Sequence, residues 1–284
     1  MSEEPPATRS HEHEIEIDAS VEEVWKAITD AEELTRWLCD RAKVTPGPGG
    51  TYWIAWGEGP AEQAIEKQFD VWEPGKHLRL TGGDLAAMGL AAPMVEEYTI
   101  ESRQGRTVLR MVHSGIPDTP QWDGFYEGTK EGWAIFFRVL RHYLENHPGK
   151  PRSTVGVMYP LQIDRESAWA TLTGPAGLGI DRLEDGEPYV ATTSAGDRLE
   201  GKVSMASPLK AVALTVDNMD GAYLCAAIEE MGGMTFFWLT LSFFGLDPDR
   251  LAPVRAHWEG WLHALLPPGG APDSPTTCGD VPTV

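Results

Sequence analysis

Basic side chains, cysteines and long apolar runs are all scarce in this sequence. Lysine and arginine supply 23 of its 284 residues against 43 aspartates and glutamates, so the formal net charge is −20 at pH 7. A charge of that sign repels phosphate backbones and anionic lipid, which argues against nucleic-acid and membrane-surface partners. No apolar run reaches the roughly 20 residues that a membrane-spanning helix needs, and the amino terminus has no secretory-signal pattern.

The cysteines, Cys39, Cys225 and Cys278, are odd in number and far apart. This pattern offers no disulfide framework and no CxxC motif and is typical of a reducing compartment, so we expect a cytoplasmic protein. His11 and His13 lie near the amino terminus, where we expect an exposed polar segment rather than a metal site. There is no GxSxG elbow and no phosphate-binding loop. The sequence therefore predicts no metal and no other cofactor.

A long amphipathic helix is predicted after residue 119. Thr119 followed by Pro120 is a favourable helix start, and the pair Pro148-Gly149 is a stop signal. Apolar residues recur there at a period of about 3.6, which indicates one buried stripe. The stripe consists of Trp133, Phe136, Phe137, Leu140 and Leu144.

Three glycines, Gly124, Gly128 and Gly132, recur every four residues in the first half of this helix. Each costs about 1 kcal/mol against alanine in a helix interior, so the row needs a physical reason. Either another element packs very close to it, or it keeps a space open.

Strand patterns precede the long helix. The segment His13–Asp18 alternates strictly, as a half-buried strand does, and Ser20 with Glu23 forms a capping box for a short helix. Further strands are predicted at 51–56, 64–72, 77–81, 95–101 and 107–114. A curved antiparallel sheet packed on the long helix, an α+β architecture, buries both apolar faces most simply.

The same order then begins again, which indicates tandem domains. Four segments of the second half resemble segments of the first: Leu161–Asp164 and Ile15–Asp18, Ala168–Thr173 and Val24–Thr29, Ser207–Thr215 and Glu73–Thr81, Thr235–Ser242 and Thr107–Ser114. The predicted organisation is a disordered leader at 1–10, a first domain at 11–148, a second, degenerate domain at 153–266, and a disordered tail at 267–284 rich in Pro, Gly, Ser and Thr.

Several motifs in residues 11–147 resemble one family. They are Ile15–Trp25, Glu33–Leu38, Pro48–Gly50, Thr107–Gly115, Gly132–Trp133 and Leu140–Glu145. In this order they resemble the AHSA family, the homologues of the activator of heat-shock-protein ATPase, within the SRPBCC or START-like helix-grip superfamily. The resemblance implies a seven-stranded antiparallel sheet wrapped on a long carboxy-terminal helix, often around a cavity for an apolar ligand. It implies no single activity, because fold alone does not specify function.

His113 is the titratable residue of most interest. Successive strand residues alternate, so His113 shares a face with Leu109 and Met111 and should point inward. There it could serve as an acid or base, or bind a ligand. It could instead hydrogen-bond the start of the long helix and stabilise the turn, which is the preferred interpretation. In the second copy Leu241 takes this position, so that domain is not expected to share the chemistry.

A ligand site is predicted between sheet and helix in the first domain. Its expected lining is Tyr52, Trp56, Phe69, Leu80, Tyr98, Met111, His113, Gly128, Trp133 and Phe136. The preferred hypothesis is a non-enzymatic protein that binds an apolar or aromatic small molecule there. The alternative is a cyclase/dehydratase-like enzyme in which His113 and a nearby acid move protons on a polyketide-like substrate. A chaperone ATPase co-regulator is disfavoured, because the second half resembles another helix-grip domain instead of a chaperone-docking domain. The oligomeric state is left open, a homodimer included.

Overall fold

The computed structural model describes residues 7–57, 63–82, 93–180, 182–231 and 233–269. Contacts divide the chain into two compact units, the first ending at Gly149 and the second beginning at Lys150. Each unit is an antiparallel sheet closed by a long helix, so this is an α+β protein with the helix-grip arrangement present twice. In the ranges given, no helix is long and apolar enough to cross a membrane.

Among its described residues the first unit contains seven strands and three α-helices. The strands are β1 (Thr8–Ile17), β2 (Arg41–Val44), β3 (Thr51–Trp56), β4 (Gln63–Glu73), β5 (His77–Gly82), β6 (Met94–Arg103) and β7 (Arg106–Pro117). The helices are α1 (Val21–Thr29), α2 (Ala31–Thr35) and α3 (Asp123–Asn146). The strands form one sheet in the order β1-β7-β6-β5-β4-β3-β2, and α3 contacts β1 at one edge.

Local sequence signals account for the short helices. The Ser20 side chain accepts a hydrogen bond from the Glu23 backbone N–H, and the Glu23 side chain accepts one from Ser20 in return, which confirms the capping box. Asp30 caps α2 in a similar way, accepting from two backbone N–H groups. The buried Trp37 indole donates to the Ala27 carbonyl at 2.9 Å and so ties the segment after α2 to α1.

Two boundaries differ from the predictions. Strand β1 begins at Thr8, so Thr8 and Arg9 of the predicted leader are paired with β7, and residues 1–6 lie outside the described ranges. Thr119 precedes a 3-10 turn (Pro120–Trp122) and makes no side-chain capping bond; the α-helix starts at Asp123. The helix ends at Asn146, two residues before the predicted stop signal at Pro148-Gly149.

In the part of the second unit that the structure describes there are six strands and two helices. The strands are β8 (Arg152–Leu161), β9 (Pro188–Thr192), β10 (Arg198–Ser207), β11 (Ala211–Val216), β12 (Ala222–Met231) and β13 (Met234–Phe244), and the helices are α4 (Arg165–Thr173) and α5 (Pro248–Leu265). The order β8-β13-β12-β11-β10-β9 repeats that of the first sheet without a counterpart of β2. Gly269 donates to the Pro160 carbonyl at 2.8 Å, and the rest of the predicted tail, 270–284, lies outside the described ranges.

Strand register places the two copies in correspondence. Thr107 pairs with Ile17 across β7 and β1, and Thr235 pairs with Leu161 across β13 and β8. Leu161 therefore corresponds to Ile17, two residues later than the sequence match to Ile15 suggested. Strands β4 and β10 also share an irregularity, between Phe69 and Val71 in the first copy and between Val203 and Met205 in the second.

Candidate functional site

A buried ion pair lies on the inner face of the first sheet. Lys67 on β4 donates through Nζ to the Glu96 carboxylate on β6, and the Tyr98 hydroxyl donates to the second carboxylate oxygen at 3.0 Å. Lys67 is 8% exposed, Glu96 5% and Tyr98 4%. Removing charges from water is costly unless they are paired and hydrogen-bonded, and both conditions are met here.

Burial and the ion pair shift the pKa of Glu96 in opposite directions. Burial raises the pKa of the Glu96 carboxyl, but the Lys67 ammonium, His113 and the hydrogen bonds outweigh it and hold that pKa below its usual range. Burial, followed by the nearby Glu96 charge, raises the pKa of Tyr98 and of Tyr52 well above 10. At neutral pH the site therefore contains one carboxylate, one ammonium and two neutral phenols.

His113 lies between Glu96 on β6 and His11 on β1, directly opposite both in the strand register. Its ring meets the His11 ring edge-on, with centroids 5.0 Å apart. Burial lowers the pKa of His113, although Glu96 opposes this. Its buried Nδ1 atom has no hydrogen-bond partner within the described part of the chain. The sequence interpretation of His113 expected one of its ring nitrogens to bond to the start of the long helix. Nδ1 does not make that bond.

His11 makes a hydrogen bond to the long helix. Its Nε2 atom lies 3.2 Å from the Thr129 hydroxyl on α3, and its Nδ1 atom lies 3.1 Å from Nε2 of His13. His11 is only 4% exposed and belongs to β1. The prediction of an exposed polar segment here was therefore wrong. Within the described residues, no group of histidine, cysteine or acidic side chains is arranged to hold a metal ion.

Half-buried aromatic rings continue the inner face beyond the ion pair. The Tyr98 ring contacts Trp133 on α3 with centroids 6.1 Å apart, and Trp133 contacts Phe136 at 5.9 Å. Phe136 in turn stacks on Trp56 of β3, at 6.4 Å and 16° between ring planes. A partly accessible aromatic surface therefore adjoins the buried polar groups.

Most of the predicted ligand-binding residues gather on this face. Those that the structure buries are Tyr52, Phe69, Leu80, Tyr98, Met111 and His113. Those that it half-buries on or against the sheet are Trp56, Trp133 and Phe136. Their role in binding remains a prediction, but the strand parity on which it rested agrees with the observed burial.

The glycine row runs obliquely around α3. Gly128 precedes Phe137 by nine residues, and at about 100° per residue this places it on the opposite side of the helix from that ring. Gly132 lies one turn before Phe136 and so shares a face with it, and no described atom lies within 4 Å of a Cβ built on Gly132. The described atoms therefore show no close packing at Gly132, and the place of Gly128 in a ligand site remains a prediction.

The first unit is similar in sequence to a known protein family. Its residues 18–145 match the family model described as activator of Hsp90 ATPase homolog 1-like protein. The first unit is an AHSA1-type domain. Protein MLL2253 from Mesorhizobium loti is 25% identical, with a TM-score of 0.41, over 48% of this chain and 96% of its own. The Aha1 dimer from Colwellia psychrerythraea is 21% identical, with a TM-score of 0.42, over 49% and 97%.

Some solved structures match across both units. The di-domain ARO/CYC BexL from the BE-7585A biosynthetic pathway is 13% identical over 90% of this chain and 93% of its own, with a TM-score of 0.44. No curated protein matches the sequence.

The polar groups of the AHSA1-type domain have no polar counterparts in the second unit. By strand register, His113 corresponds to Leu241, and its two ladder partners there are Val155 and Leu224. The remaining counterparts are Ala226 for Tyr98 and Gly201, two residues before Val203, for Lys67. The second unit folds around an apolar core at these places, so the fold itself does not require the buried ion pair.

The sequence interpretation did not identify Lys67, Glu96, His11 or Thr129. A signal was present for Glu96, which shares its strand face with Tyr98 and Ile100. His11 likewise shares parity with Ile15 and Ile17. In each case the position in the alternation indicated burial, although the residue type is usually exposed.

Proposed function

We propose that the AHSA1-type domain binds an apolar or aromatic small molecule on the inner face of its sheet, with the Lys67–Glu96 pair as a polar anchor. The observation that carries this proposal is the ion pair itself, buried in the first unit and replaced by Leu224 and Gly201 in the second. A buried pair is weak evidence for stability, because apolar residues of similar volume often stabilise a fold as well or better. A function in recognition explains why it is present.

The half-buried rings support the same proposal. Trp133, Phe136 and Trp56 present aromatic surface next to fixed polar groups, the combination that small-molecule sites use for affinity and orientation.

A fluorescence titration tests the proposal. The probe is N-phenyl-1-naphthylamine, a neutral aromatic amine whose emission rises in apolar surroundings. We expect saturable binding at one site and an affinity reduced about tenfold by Trp133→Leu, which corresponds to about 1.4 kcal/mol of lost ring contact. The matched control is Trp261→Leu, the same change at a half-buried tryptophan on α5, and it should leave the affinity unchanged.

Two outcomes would count against it. If the wild type shows no saturable binding of this probe or of other neutral aromatic molecules, the binding function is wrong. If both variants weaken binding equally, the site lies elsewhere. Native mass spectrometry of protein from its own host then provides an independent check, since a retained molecule should be lost from Trp133→Leu alone.

Glu96 and His113 also favour a second candidate function, proton transfer on a bound carbonyl compound. A buried neutral imidazole directly across the ladder from a carboxylate is an arrangement that general acid–base catalysis can use. The probe reaction is exchange of the methyl protons of 2-acetonaphthone in D₂O, followed by proton NMR. For a binding protein, His113→Asn should alter affinity by at most about 1–2 kcal/mol, the range of one hydrogen bond. Catalysed exchange that falls a hundredfold or more in this variant, with folding and binding intact, would replace the first proposal by the second.

A further inference from the structure

The hydrogen bonds around His11 form a chain with a defined direction. The Thr129 hydroxyl lies 2.9 Å from the Phe125 carbonyl oxygen, which can only accept, so the hydroxyl proton points there. The Thr129 oxygen is then the acceptor for His11 Nε2–H at 3.2 Å. His11 therefore carries its proton on Nε2.

The next bond follows from this assignment. With Nε2 protonated and the ring neutral, Nδ1 of His11 is bare and accepts from His13 Nε2–H at 3.1 Å. A proton added to His11 Nδ1 would place two N–H groups face to face. We propose that the chain His13–His11–Thr129 is an acid-sensitive latch, which holds the middle of β1 to the long helix while both imidazoles are neutral and releases it when they take up protons.

The groups packed around the latch make protonation unfavourable while it is closed. Helix α3 contributes Lys130 and Arg138, and β7 contributes His113. The anions are Glu96 on β6, which acts on His11, and Glu12 on β1, which acts on His13.

Burial is the largest influence on the two imidazoles themselves. It lowers the pKa of His11 to about 3, with His113 and His13 next in effect, and lowers the pKa of His13 to about 4, with Lys130 and Arg138 next. A free imidazole titrates near 6.5, so released histidines take up protons over a range in which latched ones stay neutral.

Other contacts between the same two elements lie beside the latch. Near the start of β1, Arg9 pairs with Asp123 at 2.7 Å and the Tyr126 hydroxyl donates to the Ser10 carbonyl at 3.2 Å. These bonds need no neutral histidine and should keep the strand tethered after release. Thr129 lies one helical turn before Trp133, so release also loosens the helix over the proposed ligand site. That consequence, unlike the latch, rests on the proposed function.

Hydrogen-exchange mass spectrometry of the whole chain tests the latch. Peptides from 8–17 and 123–131 are compared at pH 7.5 and 5.5 after correction for intrinsic exchange rates. One pH unit below 6.5, the opening equilibrium should rise roughly tenfold for each histidine freed. Strand β8 is an internal control, because Val155 and Val157 stand in its corresponding positions and should give no such change.

Variants separate the latch from other effects of acid. The double variant His11→Val/His13→Val, which copies the residues of β8, should exchange at a rate independent of pH over this range. His77→Gln, at a histidine paired with Glu97 at 2.7 Å on β5, should keep the wild-type acid response. An acid response that persists in the double variant, or a wild type with none, would overturn the proposal.

A measurement on the wild type avoids dependence on the double variant folding. Nitrogen-15 NMR of the imidazoles at pH 7.5 should find both His11 and His13 protonated on Nε2 alone, and any other pair of tautomers contradicts the chain. Release of N-phenyl-1-naphthylamine at pH 5.5 tests the link to the ligand site. A latch that opens in the exchange experiment without releasing a bound probe removes only that link, whereas absence of probe binding at both pH values removes the proposed function.

Discussion

Removing one partner of the Lys67–Glu96 pair should cost far more than removing the whole polar group. Lys67→Met would leave the Glu96 carboxylate, whose side chain is 6% exposed, without its cation. Breaking a buried pair from one side costs about 3–5 kcal/mol. The triple variant Lys67→Met/Glu96→Leu/Tyr98→Phe removes both charges and the hydroxyl that bonds to them. Because Leu224 already fills the Glu96 position in the second unit, we expect this variant to lie within about 2 kcal/mol of the wild type or above it.

Urea denaturation of the whole chain measures both effects. Tryptophans occur in both units, so unfolding of the first unit should be followed by hydrogen-exchange labelling of β6 peptides, with β12 peptides as the reference. If Lys67→Met costs less than about 1 kcal/mol, the pair behaves as an exposed one and the argument for a dry polar anchor fails. A triple variant as unstable as the single one would show that the group supports the fold itself.

Three further predictions concern stability and domain organisation. His11 and His13, with pKa values lowered to about 3 and 4, stay neutral in the folded chain, whereas in the unfolded chain they take up protons near pH 6.5. Calorimetry should therefore show full stability above pH 6.5 and a decrease toward pH 4. A melting temperature that does not change over this range would contradict this prediction. Ser20→Ala removes the capping box of α1 and should lower the free energy of unfolding by about 1 kcal/mol in urea denaturation; no loss of stability would contradict the assignment of the cap. Limited subtilisin digestion should separate two resistant fragments near residues 148–154, where Pro148 to Pro151 are exposed; cleavage scattered through 160–260 would argue against a second domain.

The sequence predicted the architecture because apolar periodicity specifies it. The stripe that includes Phe137, Leu140 and Leu144 and the capping box at Ser20 are local signals, and the structure has them where they were expected. The turn before α3 was mistaken for its first turn, because proline after Thr119 suits a 3-10 turn as well as an α-helix.

The polar site could not be predicted in the same way. A strand is recognised when its inward positions are apolar, and Lys67, Glu96 and His11 occupy inward positions with residue types that are usually exposed. Their hydrogen-bond partners come from distant parts of the chain, as His11 and Thr129 show. No local sequence pattern therefore predicts which residues pair.

Among the described residues, the second sheet has no strand that corresponds to β2, and this affects how molecules can associate. Strand β9 is therefore the outer strand of that sheet and has one unpaired edge, the kind of surface on which another chain can add a strand. This strand has only five residues and begins with Pro188, which has no N–H to donate, although Val190 is 64% exposed. A short outer strand that starts with proline resists edge-to-edge growth, so the second unit loses a strand without acquiring a site for aggregation.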